Sequence, residues 1–463
     1  MQQTKIPLHI FFRAVLVLAV PIALQNLLTS CGSLIDAMMI VPLGNAATAA
    51  VGVAGRFTFL LNVVAFGFCS GAATLISQYW GIHDLHGIRH AYGVALMFSM
   101  GIAFIFAIIL RCFPYFCVGI FGPDAAVTEH AVEYVRILAL AVPCIMFSQI
   151  SCAALRATEQ VLLPLLSSMA SVFVNTFLNI CLISGRLGFP ALQIRGAAIA
   201  TGVGAAVQAA IVLLFLLCAK NPIRATPRQL LSLPHGFFRK FFKIAAPVLL
   251  NESMWAIGSN VYVMVLARQA TQDYAGYTIY ETAQQLVFVF FAGLCNAAAI
   301  LIGKTVGKGD EEGARLLARR FMIMTPICAV VLGLLFALLR TPLLSLFAIE
   351  TEGARQTASQ LLLVYGLCLG VHMIPYTSIC GIFRAGGDTK TGCLFELGSL
   401  YCIGIPAVCL AGLVLRLPFV AIFAIMLAAE DIPKGTLCII HFLRGKWIRR
   451  LTEDTPQTQN HKC

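Results

Sequence analysis

Gly67-Phe68-Cys69-Ser70-Gly71-Ala72-Ala73-Thr74-Leu75-Ile76 is an uncharged run of small and apolar residues. Gly293-Leu294-Cys295-Asn296-Ala297-Ala298-Ala299-Ile300-Leu301-Ile302 repeats its pattern 226 residues later. The register holds outward from both copies. Upstream, Pro21 and Leu24 correspond to Pro247 and Leu250. Downstream, Gly81, Asp84, Gly87 and Arg89 correspond to Gly307, Asp310, Gly313 and Arg315, and Phe121 to Phe347. Further on, Arg156-Ala157 meets Arg384-Ala385 at an offset of 228, which implies a small insertion. Small residues align easily by chance in apolar sequence. An ungapped loop pattern of Gly, Asp, Gly and Arg does not, so the chain reads as a duplication.

The copies sit in a chain of 463 residues with 59% hydrophobic and only 11% charged residues, against about a quarter charged in a soluble domain. So little polar surface cannot wrap a core of this size, and lipid is the solvent that resolves the shortage. Arg13 to Asp36, Arg89 to Arg111, Glu159 to Arg186, Arg195 to Lys220, Glu281 to Lys304 and Arg355 to Arg384 each enclose an uncharged run longer than the ~20 residues that span a bilayer as a helix. Hydrocarbon demands that every backbone N–H and C=O be paired within the protein, which favours helices. Twelve spans follow, near 11–40, 47–79, 90–112, 131–155, 161–184, 195–219, 240–267, 275–303, 319–340, 357–383, 391–414 and 418–443. The first is too long for a cleavable signal peptide and lacks its small-residue cleavage site.

The net charge of +12 is distributed as a topology signal rather than a nucleic-acid surface. With the N-terminus cytoplasmic, the termini and even-numbered loops hold 22 Lys and Arg and the odd-numbered loops 7; Arg56, Arg136 and Lys434 fall within spans. That is the positive-inside pattern, with both termini cytoplasmic in the plasma (inner) membrane. Six spans separate the copies. An even number enters the membrane in the same direction, so the halves are expected to be two six-helix bundles of an all-α integral membrane protein, related by a pseudo-two-fold axis along the membrane normal. The expected division is an N-terminal lobe over 1–219, a cytoplasmic linker over 220–239 with Pro222, Pro227 and Pro234, a C-terminal lobe over 240–443 and a cytoplasmic tail over 444–463. The 17 cysteines show no metal spacing or secreted framework and read as small buried hydrophobes.

Several stretches resemble the multidrug and toxic compound extrusion (MATE) transporters. Pro21-Ile-Ala-Leu-Gln-Asn26, Ile35-Asp36 and Pro42-Leu-Gly44 resemble that family's first helix and following loop. Ile76-Ser-Gln-Tyr-Trp-Gly81 resembles its second-helix exit. Leu155-Arg156-Ala157-Thr158 and Phe383-Arg384-Ala385-Gly386-Gly387-Asp388-Thr389 resemble its paired loops, and Gly196-Ala197-Ala198-Ile199-Ala200-Thr201 the start of its sixth helix. The resemblance covers nearly the whole chain. It implies a secondary antiporter that exports cationic or amphipathic organic compounds in exchange for protons or sodium ions. It implies no enzyme activity, and no cofactor beyond the coupling ion. No G-x-x-x-x-G-K-[ST] phosphate loop occurs in the sequence. The expected partners are the lipid bilayer and small organic cations, with the chain a monomer. The alternative within transport is a flippase for a lipid-linked saccharide or lipid, which would favour a more basic cavity.

Ionisable residues within spans are expensive and therefore functional candidates. Asp36 lies fifteen residues past Pro21, about 22 Å along one helix, in the outer half of span 1. A carboxylate there can exchange a proton or hold a bare sodium ion. Bending at Pro21, which lacks a helical hydrogen bond, could move it. Asn175 and Asn179 share a face of span 5 and resemble an Asn-x-x-x-Asp pair of some family members, with asparagine in place of the acid. Thr201 completes that polar set. The asparagines serve equally as interhelical packing contacts. In the second half, Glu252 on span 7 lies near mid-membrane and resembles an acid used for cation binding in another branch. Nothing acidic lies on span 10; Glu281 on span 8 and Glu396 on span 11 are substitutes. The duplication pairs Asp36 with Tyr262 and Glu252 with Asn26, so the two halves differ chemically. Sodium binding is expected at Asp36 or Glu252 and no other metal site is. Arg56 either pairs with an acid such as Asp36 or snorkels to the interface. Glu430 and Lys434, one turn apart, are expected to neutralise each other. Phe57, Trp255, Tyr262, Tyr277 and Tyr280 are candidates for holding a cargo cation on their ring faces.

Overall fold

The computed structural model describes residues 7–122, 124–225, 229, 236–345 and 351–452. Phe347, Pro227 and Pro234, and residues 453–463 of the tail, lie outside them. Twelve long helices account for the spans: α1 (Leu8–Ile40), α2 (Asn45–Gly81), α3 (Leu85–Cys112), α4 (Ala125–Ala157), α5 (Leu162–Ser184), α6 (Gln193–Cys218), α7 (Phe237–Ala267), α8 (Thr271–Gly307), α9 (Glu311–Leu338), α10 (Glu352–Phe383), α11 (Thr389–Val414) and α12 (Phe419–Arg444). Ten are long and apolar enough to cross a membrane. The other two, α7 and α12, carry Glu252 and the trio Glu430, Asp431 and Lys434. Several helices start earlier than hydropathy suggests; α9 begins at Glu311, because its first turns, rich in Glu and Arg, continue the helix beyond the apolar stretch.

The loop signature of the duplication has a physical cause. Asp84 caps α3 by accepting from the His86 and Gly87 backbone N–H groups at 3.0 and 3.1 Å. Asp310 caps α9 by accepting from Gly313 N–H at 2.8 Å. Such caps satisfy donors that a helix start leaves free. The residue before each cap is left-handed, His83 at φ 56° and Gly309 at φ 78°. A Cβ at Gly313 would strike the capping carboxylate of Asp310, which explains a glycine three residues past the cap. The later pair of loops repeats this: Glu159 has φ 66° and Gly387 φ 82°.

The chain forms two compact units. The N-lobe is Leu24–Ala245, and the C-lobe is Met1–Ala23 with Ala246–Cys463. The boundaries differ from a division at the 220–239 linker. They fall inside α1 and α7, next to Pro21 and Pro247. In the C-lobe, the first part of α1 packs on α8 and α9. Phe11 meets Phe321 edge-on at 5.2 Å, and a Cβ at Gly293 would lie 2.8 Å from the Ala19 carbonyl. In the N-lobe, the first part of α7 packs on α2 and α3. Phe242 meets Phe98 edge-on at 4.8 Å, and a Cβ at Gly71 would lie 2.6 Å from Ala245 Cβ. Small residues let backbones approach where lipid supplies no hydrophobic drive between helices. α9 and α10 approach closely at Gly333 against Gly366.

Within the N-lobe, one apolar cluster joins α2 (Ala47, Ala50, Ala54, Phe57), α4 (Ala131, Val135, Leu138) and α6 (Ile194, Ala197, Ala198). In the C-lobe, α10 and α11 widen into π-helical turns at Thr377–Phe383, Leu400–Gly404 and Leu410–Val414. They lie beside Pro375 and Pro406, each of which removes a backbone donor. All sixteen described cysteines are free.

Candidate functional site

Each lobe carries a polar cluster at the meeting of its first, fourth and fifth helices. In the N-lobe, Gln25 of α1 donates to Ser168 Oγ of α5 at 2.9 Å, and Gln208 of α6 donates to the same oxygen at 3.0 Å. The Arg156 guanidinium, at the end of α4, donates to Gln25 Oε1 at 3.1 Å. The duplication carries these positions to Asn251, Glu396 and Arg384. There Asn251 of α7 donates to Glu396 Oε2 of α11 at 2.8 Å, and Arg384 at the end of α10 pairs with Glu252 Oε1 at 2.6 Å. The junction is the same in both lobes. Its acids are present in one copy only.

Further along α1, the N-lobe holds a second set. Asn179 Nδ2 donates to Asp36 Oδ1 at 2.6 Å and lies 3.3 Å from Asn175 Oδ1; Asn175 Nδ2 lies 3.4 Å from Thr201 Oγ1. Tyr134 of α4 stands beside Thr201 and Asp36. Glycines permit the approach: a Cβ at Gly204 of α6 would be 3.0 Å from the Ser171 carbonyl of α5, and one at Gly32 of α1 would be 3.2 Å from Val172. The structure thus brings Asp36, Asn175, Asn179 and Thr201 together. Asp36 has no ion-pair partner among the described residues, and Arg56 is exposed and not bonded to it. Asn179 is 1% exposed, yet its Oδ1 accepts no hydrogen bond. A half-buried carboxylate beside an orphaned amide oxygen is an oxygen-rich, uncompensated acceptor set.

The C-lobe residues sort differently. Glu252 is already paired with Arg384, so the cation it was expected to bind is supplied by the chain itself. Glu281 lies beside Tyr277, apart from that pair. Lys434 does not serve Glu430 alone. Its ammonium lies 2.8 Å from Glu430, 3.7 Å from Asp431 and 3.9 Å from Glu396, because α11 packs against the same face of α12. Tyr262, Tyr277, Tyr280 and Phe57 are all buried, with their rings in packing contacts: Phe57 against Phe121 at 5.5 Å, and Tyr280 between Tyr365 and Phe423 at 5.4 and 4.8 Å. Trp255 is 41% exposed.

Motif reading quoted Gln25 and Arg384 without giving either a site role, and it missed Tyr134, Asn251, His372 and Asp431. The repeat offset could have found Asn251 and the role of Glu396. Nothing in the sequence pairs His372 with Asp431.

The MatE family profile matches residues 21–181 and 247–410. The two matches begin at Pro21 and Pro247, the register of the duplication. Among curated relatives, the chain is 25% identical over 344 residues to the probable multidrug resistance protein YoeA of Bacillus subtilis, covering 74% of each chain. It is 26% identical over 408 residues to human multidrug and toxin extrusion protein 1, covering 85% of this chain and 68% of that one. Among solved structures, a mutant of the Vibrio cholerae MATE transporter VcmN superposes with a TM-score of 0.86 at 18% identity, covering 96% of this chain and 98% of that one. A MOP superfamily transporter from Pyrococcus furiosus superposes with a TM-score of 0.82 at 17% identity, covering 94% of both. The chain belongs to the MatE family and is a multi-pass membrane transporter, not an enzyme.

Proposed function

We propose that this chain is a secondary antiporter that exports cationic or amphipathic organic compounds in exchange for a proton or sodium ion, with Asp36 carrying the coupling charge. The observation that supports this best is Asp36 itself. It is an acid in a membrane helix, bonded only by neutral amides, beside the orphaned Asn179 Oδ1. A charge left uncompensated in a membrane costs several kcal/mol, and taking up a cation relieves it. Asn179, Asn175 and Thr201 present neutral oxygens and cannot titrate, so they orient the acid while Asp36 alone changes charge. Uptake of the inward-moving cation neutralises the site. Arrival of a cationic cargo repels that cation, and the two species alternate. The relatives named for multidrug resistance and toxin extrusion support the cargo class. The expected setting is a monomer in the plasma (inner) membrane with both termini cytoplasmic, its two sequence repeats joined by the 220–239 linker.

The test is transport by protein in vesicles given a proton or a sodium gradient and a fluorescent lipophilic cation. Gradient-driven accumulation is expected in the wild type and its loss, by at least about tenfold, in Asp36→Asn. Ion replacement decides between proton and sodium. Absence of gradient-driven movement across a broad panel of cations, or full activity in Asp36→Asn, sinks the reading. Movement of a labelled lipid-linked saccharide instead would favour the flippase alternative.

A further inference from the structure

The C-lobe holds a charge cluster that the Asp36 reading does not use. Among the described residues, the Lys and Arg paired with Glu252, Glu396, Glu430 and Asp431 are Arg384 and Lys434. Two acids are in excess, inside a bundle that lipid surrounds. His372 of α10 joins this cluster: its Nδ1 lies 2.7 Å from Asp431 Oδ2, and no other hydrogen bond to its ring is formed among the described residues. The Asp431 side chain is 5% exposed and that of His372 23%. Asp431 Oδ1 accepts no hydrogen bond, and the Tyr365 ring lies 6.1 Å from that of His372. A buried acid excess with unmet hydrogen-bonding atoms is a place that takes up a cation.

We propose that the His372–Asp431 pair is a second proton-binding site of the transport cycle, separate from Asp36. With the carboxylate as acceptor, neutral His372 carries its hydrogen on Nδ1 and leaves the Nε2 lone pair free. A proton from water forms an N–H bond at Nε2, giving an imidazolium that donates from Nδ1 to Asp431. Release reverses that step, so nothing else is consumed. The His372 side chain is the more exposed member of the pair. A proton fits better than a metal ion, because the Lys434 ammonium already lies among Glu396, Glu430 and Asp431.

The groups that surround His372 set its charge state together. From α12 these are Asp431, Glu430 and Lys434. From α11, Glu396 acts through Lys434. On α10, the Tyr365 ring lies 6.1 Å away, and Cys368 is one turn back. From α8, Tyr280 packs on Tyr365, and Glu281 follows it in sequence beside Tyr277. α9 contributes no charged residue after Arg320.

The proposal rests on the antiport reading for the proton's part in transport, but not for its binding. Binding is tested first, on the full chain in lipid nanodiscs without cargo, by nitrogen-15 NMR of labelled histidine between about pH 5 and about pH 8. His372→Gln identifies the signal among the nine histidines. That signal is expected to titrate within the range, and its midpoint to fall in Asp431→Asn with Asp36 intact. A ring that keeps one protonation state throughout overturns the proposal. Proton-to-cargo counting in vesicles then tests transport: His372→Gln, or Asp431→Asn if the first variant does not fold, is expected to move about one proton fewer per cargo molecule. An unchanged count also overturns it. If the wild type shows no gradient-driven transport, the antiport reading fails alone, and the titration still decides the binding site.

Discussion

Glu252 and Arg384 illustrate what a buried ion pair does at the scale of single residues. The Arg384 and Glu252 side chains are 5% and 21% exposed. Glu252→Gln removes the carboxylate paired with the guanidinium, a change expected to cost about 3–5 kcal/mol and to slow gradient-driven transport. A thermal melt of the purified protein checks it, and Glu252→Gln combined with Arg384→Gln is expected to recover part of the loss. Asp388 is a second such residue. It is fully buried and accepts from Thr391 Oγ1 at 2.9 Å, His441 Nε2 at 2.8 Å and Arg449 at 2.9 Å. These bonds, with Arg449 N–H donating to the Gly386 carbonyl at 2.7 Å, hold residues 445–452 against the C-lobe. Asp388→Asn is expected to weaken charge-assisted bonds worth about 1.5–3 kcal/mol each. Faster proteolytic cleavage after Gly445 would register that; an unchanged cleavage rate would contradict it.

At the scale of elements, α1 and α7 behave alike. Each carries a proline in mid-helix, and in each the packing partners change beside that proline. A proline removes one helical hydrogen bond and crowds the preceding turn, so it marks where the helix bends most easily. Pro21→Ala restores the missing donor and stiffens α1 between Phe11 and Asp36. The variant is expected to fold with wild-type thermal stability or better, and to transport several-fold more slowly. Equal transport rates for the two proteins would argue that α1 does not bend during the cycle. The capping acids act at this scale too. Asp84 and Asp310 were legible as a repeated loop pattern, and their role follows from helix starts that leave backbone donors free.

At the scale of the whole molecule, duplication built two lobes, and each lobe takes half a helix from the other repeat's sequence. A chain supplied as two pieces, 1–225 and 226–463, therefore lacks part of a lobe in either piece. Each piece expressed alone is expected to be degraded or to aggregate, and the two expressed together to restore transport. Survival of either piece as a folded monomer would count against reciprocal exchange as a stability requirement. The same comparison places the chemistry asymmetrically. Gln25, Ser168 and Arg156 form a junction without an acid in the N-lobe, while Asn251, Glu396, Glu252 and Arg384 form one with two acids in the C-lobe. Asp36 sits further along α1, where α7 has Tyr262.

Hydropathy, charge asymmetry and the 226-residue register pointed to the membrane class, the twelve helices and the duplication, because each depends on composition or on spacing along the chain; the family came from motif resemblance. The Asp36, Asn175, Asn179 and Thr201 set was nameable for a related reason: those positions carried a family resemblance. What only the tertiary structure decided is which polar groups meet. His372 and Asp431 are 59 residues apart, Lys434 serves three acids, and the lobe boundary runs through two helices. Helix rotation and tilt decide such meetings. They are set by close contacts such as Gly333 on Gly366 and by π-helical turns beside Pro375 and Pro406, which local sequence periodicity does not encode.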